Sequence, residues 1–177
     1  MEKINKLKKL FKNYDLDGYI VPKNDEFFSE YIPENKDRLK FISNFSGSYG
    51  FALILKNRNY LFVDGRYTLQ AKIQSKKSFE IVTIPNKFPF DVLKKKRLNI
   101  GFDPKLHTQK SLKAFFNKTN CKLLSINKNL IDKLNVQKAN GKLKKFYILP
   151  KQAVGQNYKL KINRLVYLLN EKKINFQ

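Results

Sequence analysis

The residues best equipped for chemistry lie in "LFVDGRYTLQA", Leu61 to Ala71. An apolar run stops at Asp64-Gly65, and a helix-like run begins at Arg66-Tyr67. A carboxylate, a guanidinium and a phenol at one strand-to-helix corner are groups that bind ligands. They also have a structural use. Asp64 can accept from the free N–H groups of the first helical turn. Arg66 can pair with that carboxylate or reach outward, while Tyr67 and Leu69 can pack. The corner holds no nucleophile, no general base and too few metal ligands.

The other reactive side chains are isolated. The single histidine, His107 in "DPKLHTQ", is expected to be a loop residue beside a helix start, not a ligand or a base. The single cysteine, Cys121, opens an apolar run and is expected to be a buried small hydrophobe. Ser46 and Ser48 in "SGSYG" have no His base in view. That segment precedes a strand, so it lacks the helix N-terminus of a phosphate cradle and reads as a turn. There is no His-Glu-x-x-His, no Cys-x-x-Cys, no phosphate-binding loop and no dinucleotide fingerprint.

The elements that position these residues follow from periodicity. Ile4, Leu7, Leu10, Phe11 and Tyr14 share one face of an N-terminal amphipathic helix. "YIVP" is a short buried strand closed by Pro22. "KNDEFFSEYIPEN" is a polar loop with buried aromatics. Pro33 opens a helix over 34–44 that buries Leu39, Phe41 or Ile42, and Phe45. "FALIL" and "YLFVD", joined by "KNRN", form a hairpin. A helix over roughly 66–75, a strand "FEIVTI", a short helix near 89–96 and a strand "LNIGFD" follow. Thr108 caps a helix through Phe116. "CKLLSI" is a strand and "NLIDKL" a short helix. The order predicts an α/β fold with a mixed, largely parallel sheet, one antiparallel hairpin and flanking helices. The compact unit spans 1–135, and 136–155 is a linker. Residues 156–173 form an amphipathic helix with Tyr158, Ile162, Leu165, Val166 and Leu169 inward, and "INFQ" begins a strand. Residues 156–177 are expected to be the start of a second domain that is cut off.

The 177 residues carry a net charge of +23, with 42% hydrophobic residues. That is enough apolar material for a core, and no run approaches the roughly 20 residues of a membrane span. The N-terminus lacks the apolar stretch of a secretory signal, and one cysteine suits a reducing cytoplasm. Of 37 basic residues only Arg38, Arg58, Arg66, Arg97 and Arg164 are arginine, the side chain that forks onto phosphates and bases. A dispersed lysine surface is therefore expected, with no specific nucleic-acid and no membrane partner.

Taken in order, "SEYIPENKDRLKFISNFSGSYGFALIL", "YLFVDGRYTLQA", "IGFDPKLHT", "NLIDKL" and "AVGQNYKLKI" resemble the N-terminal, creatinase-like domain of Xaa-Pro aminopeptidases, most closely the large three-domain members. Asn44-Phe45-Ser46 stands where the family more often has Gly-Phe-Thr. The resemblance implies a fold with a ribonuclease H-like motif. It implies a parent metallopeptidase of the M24 type that removes a residue preceding proline, using two divalent metal ions, usually manganese, in a C-terminal "pita-bread" domain. The ligands there are two Asp, one His and two Glu, and none of those positions occurs in this sequence. The expected catalytic and metal residues of this chain are therefore none. The resemblance implies that the domain supports domain packing, homodimerisation and access of peptide substrate to the active site, with Arg66 and Tyr67 as contacts at its entrance. Ser46, Gly47, Asp64 and Gly65 are expected as structural motif residues. The alternative is a stand-alone basic binding module for RNA or an acidic protein.

Overall fold

The computed structural model describes residues 1–94, 96–135 and 147–172. The chain divides into two units, 1–139 and 140–177. In the first, the elements in order are α1 (Glu2–Phe11), β1 (Gly18–Pro22), α2 (Arg38–Ser43), β2 (Phe51–Leu55), β3 (Asn59–Asp64), α3 (Thr68–Ser75), β4 (Glu80–Ile84), α4 (Pro89–Leu93), β5 (Asn99–Phe102), α5 (Gln109–Phe116), β6 (Lys122–Ser125) and α6 (Leu130–Leu134).

One six-stranded sheet runs in the order β4-β3-β2-β1-β5-β6. Only β2 is reversed: it pairs antiparallel with β1 and β3, and every other pairing is parallel. The sheet is thus mixed and largely parallel with one antiparallel hairpin, as the sequence order predicts. β1 and β2 are buried at all their positions, which explains why they read as continuous apolar runs rather than alternating ones. Alternate side chains still go to opposite faces. Tyr19, Val21, Ala52, Ile54, Leu61 and Val63 meet Leu7, Phe11, Leu39 and Ile131 from α1, α2 and α6. Ile20, Phe51, Leu53, Tyr60 and Phe62 meet Leu93 and Phe116 from α4 and α5. The result is a three-layer α/β/α sandwich.

Local signals set the boundaries. Glu2 sits in the first turn of α1 and Lys8 and Lys9 in its last, which complements the helix dipole. Asp15 leaves the helix in the left-handed region. Thr108 caps α5 by accepting the Ser111 N–H at 3.1 Å. The helix expected over 34–44 is broken in two. A 3₁₀ turn covers Glu34–Lys36, and Asp37 then caps a fresh helix by accepting the Lys40 N–H at 3.0 Å. A carboxylate at this position captures N–H groups that a continuous helix would have used internally. Phe41 is half-buried, while Leu39, Ile42 and Phe45 are in the core.

The restart at Asp37 buries Arg38, which is 2% exposed. Its Nε and Nη2 donate to the two Asp132 carboxylate oxygens at 2.7 and 2.8 Å, and Nη2 also donates to Glu26 at 2.8 Å. Lys36 donates to the same Glu26 oxygen at 2.8 Å. Burial alone would raise the Glu26 pKa. The hydrogen bonds from Lys36 and Arg38 outweigh it and hold the carboxyl at about 2. Burial likewise opposes the Arg38 charge, and Asp132 and Glu26 more than restore it. This knot ties the 24–37 loop and α2 to α6.

In the second unit, a turn of helix α7 (Lys151–Val154) precedes α8 (Tyr158–Glu171), whose first N–H groups are capped by Asn157. Tyr158, Ile162, Leu165 and Val166, expected to face inward, are exposed, and Leu169 is half-buried. Among the described residues of this unit, neither α7 nor any other element covers these side chains. Of the linker expected over 136–155, residues 136–146 lie outside the described residues, as does the "INFQ" strand, and Lys151–Val154 form α7.

Arg38→Ala should cost about 3 kcal/mol by denaturant unfolding, the low end for a broken buried pair because Asp132 and Glu26 can still be hydrated. Glu26 has a folded pKa below its unfolded value, so its stabilisation is complete above pH ~4.5 and lost as pH falls towards ~2. A melting series across that range should show this acid loss in the parent protein and a smaller one in Arg38→Ala. Hydrogen exchange should separate the two units: amides of α8 exchange fast, while those of β2 and β3 are protected to the level of global unfolding. Equal protection would mean that α8 is covered.

Candidate functional site

The parallel strands β1, β3, β4, β5 and β6 all end on one side of the sheet. In open α/β sheets this is the side where ligands and partners are met. The 61–71 corner is there, at the end of β3. Asp64 is the cap: its Oδ1 accepts the Arg66 N–H at 2.9 Å, ahead of the 3₁₀ turn Gly65–Tyr67 that leads into α3. The Arg66 side chain folds back on the same carboxylate, with Nη2 2.7 Å from Oδ2 and Nε 3.2 Å from Oδ1. Hydrogen bonding from Arg66 keeps the Asp64 carboxyl below the usual range. The guanidinium nevertheless stays 74% exposed, so it offers its outer edge to solvent.

The turn ahead of β2 is docked against this corner. The Ser48 and Tyr67 hydroxyls are 2.7 Å apart. The Tyr67 ring meets Phe45 edge-on, with centroids 5.8 Å apart. Ser46 lies over α3: its Oγ accepts from the Gln70 and Gln74 side-chain amides at 3.0 and 2.9 Å, and its N–H donates to the side-chain Oε1 of Gln74 at 2.9 Å. A hydroxyl whose lone pairs receive two amides is held as an acceptor and is not activated as a nucleophile. Gly47 is required by space. A Cβ there would lie 2.2 Å from Phe45 Cζ and 2.9 Å from Tyr67 Cδ1. At Gly65 a Cβ would meet open space. Ser46 and Gly47 thus meet α3 and Tyr67 in one turn-on-helix contact, while Asp64 and Gly65 form the turn that opens the helix.

His107 is a loop residue at the end of the 3₁₀ turn Pro104–Leu106, next to the cap of α5. Its ring stands edge-on to Phe102. Burial pushes its pKa down to about 4, against the pull of Asp103, so the ring is neutral at pH 7. Cys121 is half-buried, not buried. It precedes β6, the edge strand, and its thiol lies 3.5 Å from the Lys96 carbonyl oxygen. Edge strands cover one side less, which explains the difference. Among the described residues no three His, Cys, Asp or Glu side chains are placed to hold a metal ion. The side chains present do not fit a dinuclear metal centre, and no reaction step can be assigned to them.

The aromatics expected to be buried in the 24–35 loop are exposed instead. Asp25 accepts the Phe27 and Ser29 N–H groups at 3.0 and 2.9 Å and fixes a tight turn that leaves Phe27 and Tyr31 outside. The Arg38 knot beneath it was not legible from the sequence. The available hint was an arginine in a chain whose basic residues are nearly all lysine. On α3, Leu69 and Ile73 form an exposed apolar pair one turn apart, adjoining Arg66. The strand-end face thus offers a guanidinium, a phenol and apolar side chains.

Comparison with known proteins gives this surface a context. Residues 3–135 match the family model described as the creatinase/prolidase N-terminal domain. The chain is 32% identical over 178 residues to the protein named "Probable Xaa-Pro aminopeptidase P" of Paracoccidioides lutzii, covering 94% of this chain and 29% of that one. It is 31% identical over 157 residues to aminopeptidase P1 of Lotus japonicus, covering 85% of this chain and 24% of the relative. Among solved structures it superposes on the X-prolyl aminopeptidase of Caenorhabditis elegans, a cytosolic enzyme with a di-nuclear active site, with a TM-score of 0.71 at 28% identity, over 97% of this chain and 31% of the other. The chain spans less than a third of the length of these relatives.

Gly47→Ala should destabilise the domain by about 1–3 kcal/mol, because Phe45 or Tyr67 must move. Gly65→Ala should stay within about 0.5 kcal/mol of the parent. Denaturant midpoints of the two variants, measured side by side, check the assignment of space at this corner.

Proposed function

The chain belongs to the creatinase/prolidase N-terminal domain family, and we propose that it is the non-catalytic N-terminal portion of a metal-dependent Xaa-Pro aminopeptidase. The observation that carries this reading is the extent of the likeness. It runs through 94–97% of this chain but through less than a third of the relatives. In such an enzyme the peptide substrate and a pair of divalent ions, manganese in this proposal, meet in a catalytic domain outside these residues. This domain packs against its neighbours, supports a homodimer and walls the approach to the active site. Residues 1–135 are the first domain, 136–155 the linker, and 156–177 the beginning of a second creatinase-like domain, whose helix α8 presents the apolar face that such a domain would cover. The cytosolic setting of the nematode enzyme supports a cytoplasmic location.

The strand-end face supports the role in access. Arg66 is anchored at its inner edge by Asp64 and open at its outer edge. Tyr67 is fixed by Ser48 and Phe45. Such a pair can meet the carbonyls or carboxylate of an approaching peptide without reorganising. Leu69 and Ile73 beside it provide packing area for a neighbouring domain or subunit.

Two measurements test the proposal. The 177-residue chain, supplied with manganese and a peptide carrying proline at its second position, should release no N-terminal residue; metal-dependent cleavage by this chain alone would overturn the non-catalytic reading. In an enzyme that carries this domain ahead of a catalytic one, Arg66→Ala should raise KM about fivefold with kcat within about twofold, the pattern of lost uniform binding. An unchanged KM would remove Arg66 from the entrance.

A further inference from the structure

The opposite side of the sheet, where the parallel strands begin, has a different character. There the 56–58 hairpin turn, the start of β3 and the 94–98 connection between α4 and β5 enclose a groove of about 600 Å³. Its rim carries Lys56, Arg58, Lys94 and Lys96, all exposed. One carboxylate, Asp17, lines it. That carboxylate is already engaged, by Lys56 Nζ at 2.7 Å and the Asn99 N–H at 2.9 Å. Among the described residues Arg58, Lys94 and Lys96 form no ion pair. Glu80, exposed at the start of β4, attracts Arg58 only through space.

The groove is built rather than incidental. The Leu55 N–H donates to the Arg58 carbonyl at 2.8 Å and closes the turn. The Lys56 N–H donates to the Asp17 carbonyl at 3.0 Å, and Lys8 Nζ to the Lys56 carbonyl at 3.0 Å. Lys94 holds a positive φ of 49°, which turns the chain sharply after α4, and the Lys96 N–H returns to the Leu93 carbonyl at 3.1 Å. Three cations that form no ion pair are thereby placed around a floor that includes the half-buried Val92 and Leu98.

From this arrangement we propose that the groove docks an acidic, amphipathic segment of a partner protein. The cations complement carboxylates, and the apolar floor complements aliphatic side chains between them. A nucleic-acid strand fits the groove less well. Its only aromatic, Tyr60, is 3% exposed and offers no face for base stacking, and only one rim cation is arginine.

The test is fluorescence anisotropy of the full 177-residue chain with a labelled peptide of alternating glutamate and leucine. Salt titration should weaken binding, as for any exposed ionic contact. Arg58→Glu combined with Lys96→Glu should weaken it about tenfold or more. Lys72→Glu combined with Lys77→Glu, the same charge change on α3 and the turn after it, should change it less than about twofold. If charge reversal perturbs folding, the Arg58→Gln, Lys96→Gln pair keeps the side-chain stems and should still weaken binding severalfold. Equal losses from the groove and α3 variants would reduce the effect to net charge and overturn the proposal. So would absence of peptide binding, or tighter binding of a single-stranded oligothymidylate that is lost with the groove variant.

Discussion

A guanidinium with almost no contact with water has to be met on its own terms. Arg38 cannot lose its proton, so its burial is tolerable only because two carboxylates reach it from different parts of the chain. Asp132 comes from α6 and Glu26 from the loop after β1. Between them they fix the position of α6 on the sheet and the path of a long loop that has little apolar anchorage of its own. That loop in turn carries Phe27 and Tyr31 into solvent. Their exposure follows from the tight turn that Asp25 closes within the loop.

The distribution of charge follows the sheet. Asp25, Glu26, Asp37, Asp64, Asp103 and Asp132 all lie beyond the ends of parallel strands, where each is occupied as a cap or a pairing partner. At the other end Asp17 alone lines the groove between the hairpin turn and the 94–98 connection. There Lys56 pairs with Asp17, while Arg58, Lys94 and Lys96 form no ion pair among the described residues.

Much of this fold was legible in the sequence because it depends on local chemistry. The hairpin, the doubly buried β1 and β2, the Asp64 cap and the Thr108 cap are each set by residues within a few positions of one another. The docking of Ser46 on α3 was not legible, since Gln70 and Gln74 are 24 and 28 residues away. The break before α2 turned on Asp37 competing for N–H groups, a contest that helical periodicity does not see. The pairing of Arg38 was not legible for a related reason: its partners lie 12 and 94 residues distant. Cys121 was read as core because its neighbours are apolar, yet it stands beside an edge strand. Family motifs compensated in part, because they record which distant residues meet without saying how.

The reversed strand has a consequence for synthesis. β1 is flanked by β2 on one side and by β5 on the other, and Gly18 and Tyr19 pair with Ile100 and Gly101. As the chain leaves the ribosome, β1 to β4 can assemble among themselves, because each of their pairings is close in sequence. The outer edge of β1 then stands open until residues 99–102 emerge. For that interval a fully apolar strand is an unprotected edge, the kind that recruits other nascent chains. Closure of that edge therefore waits on β5, which meets β1 through Gly18–Ile100 and Tyr19–Gly101.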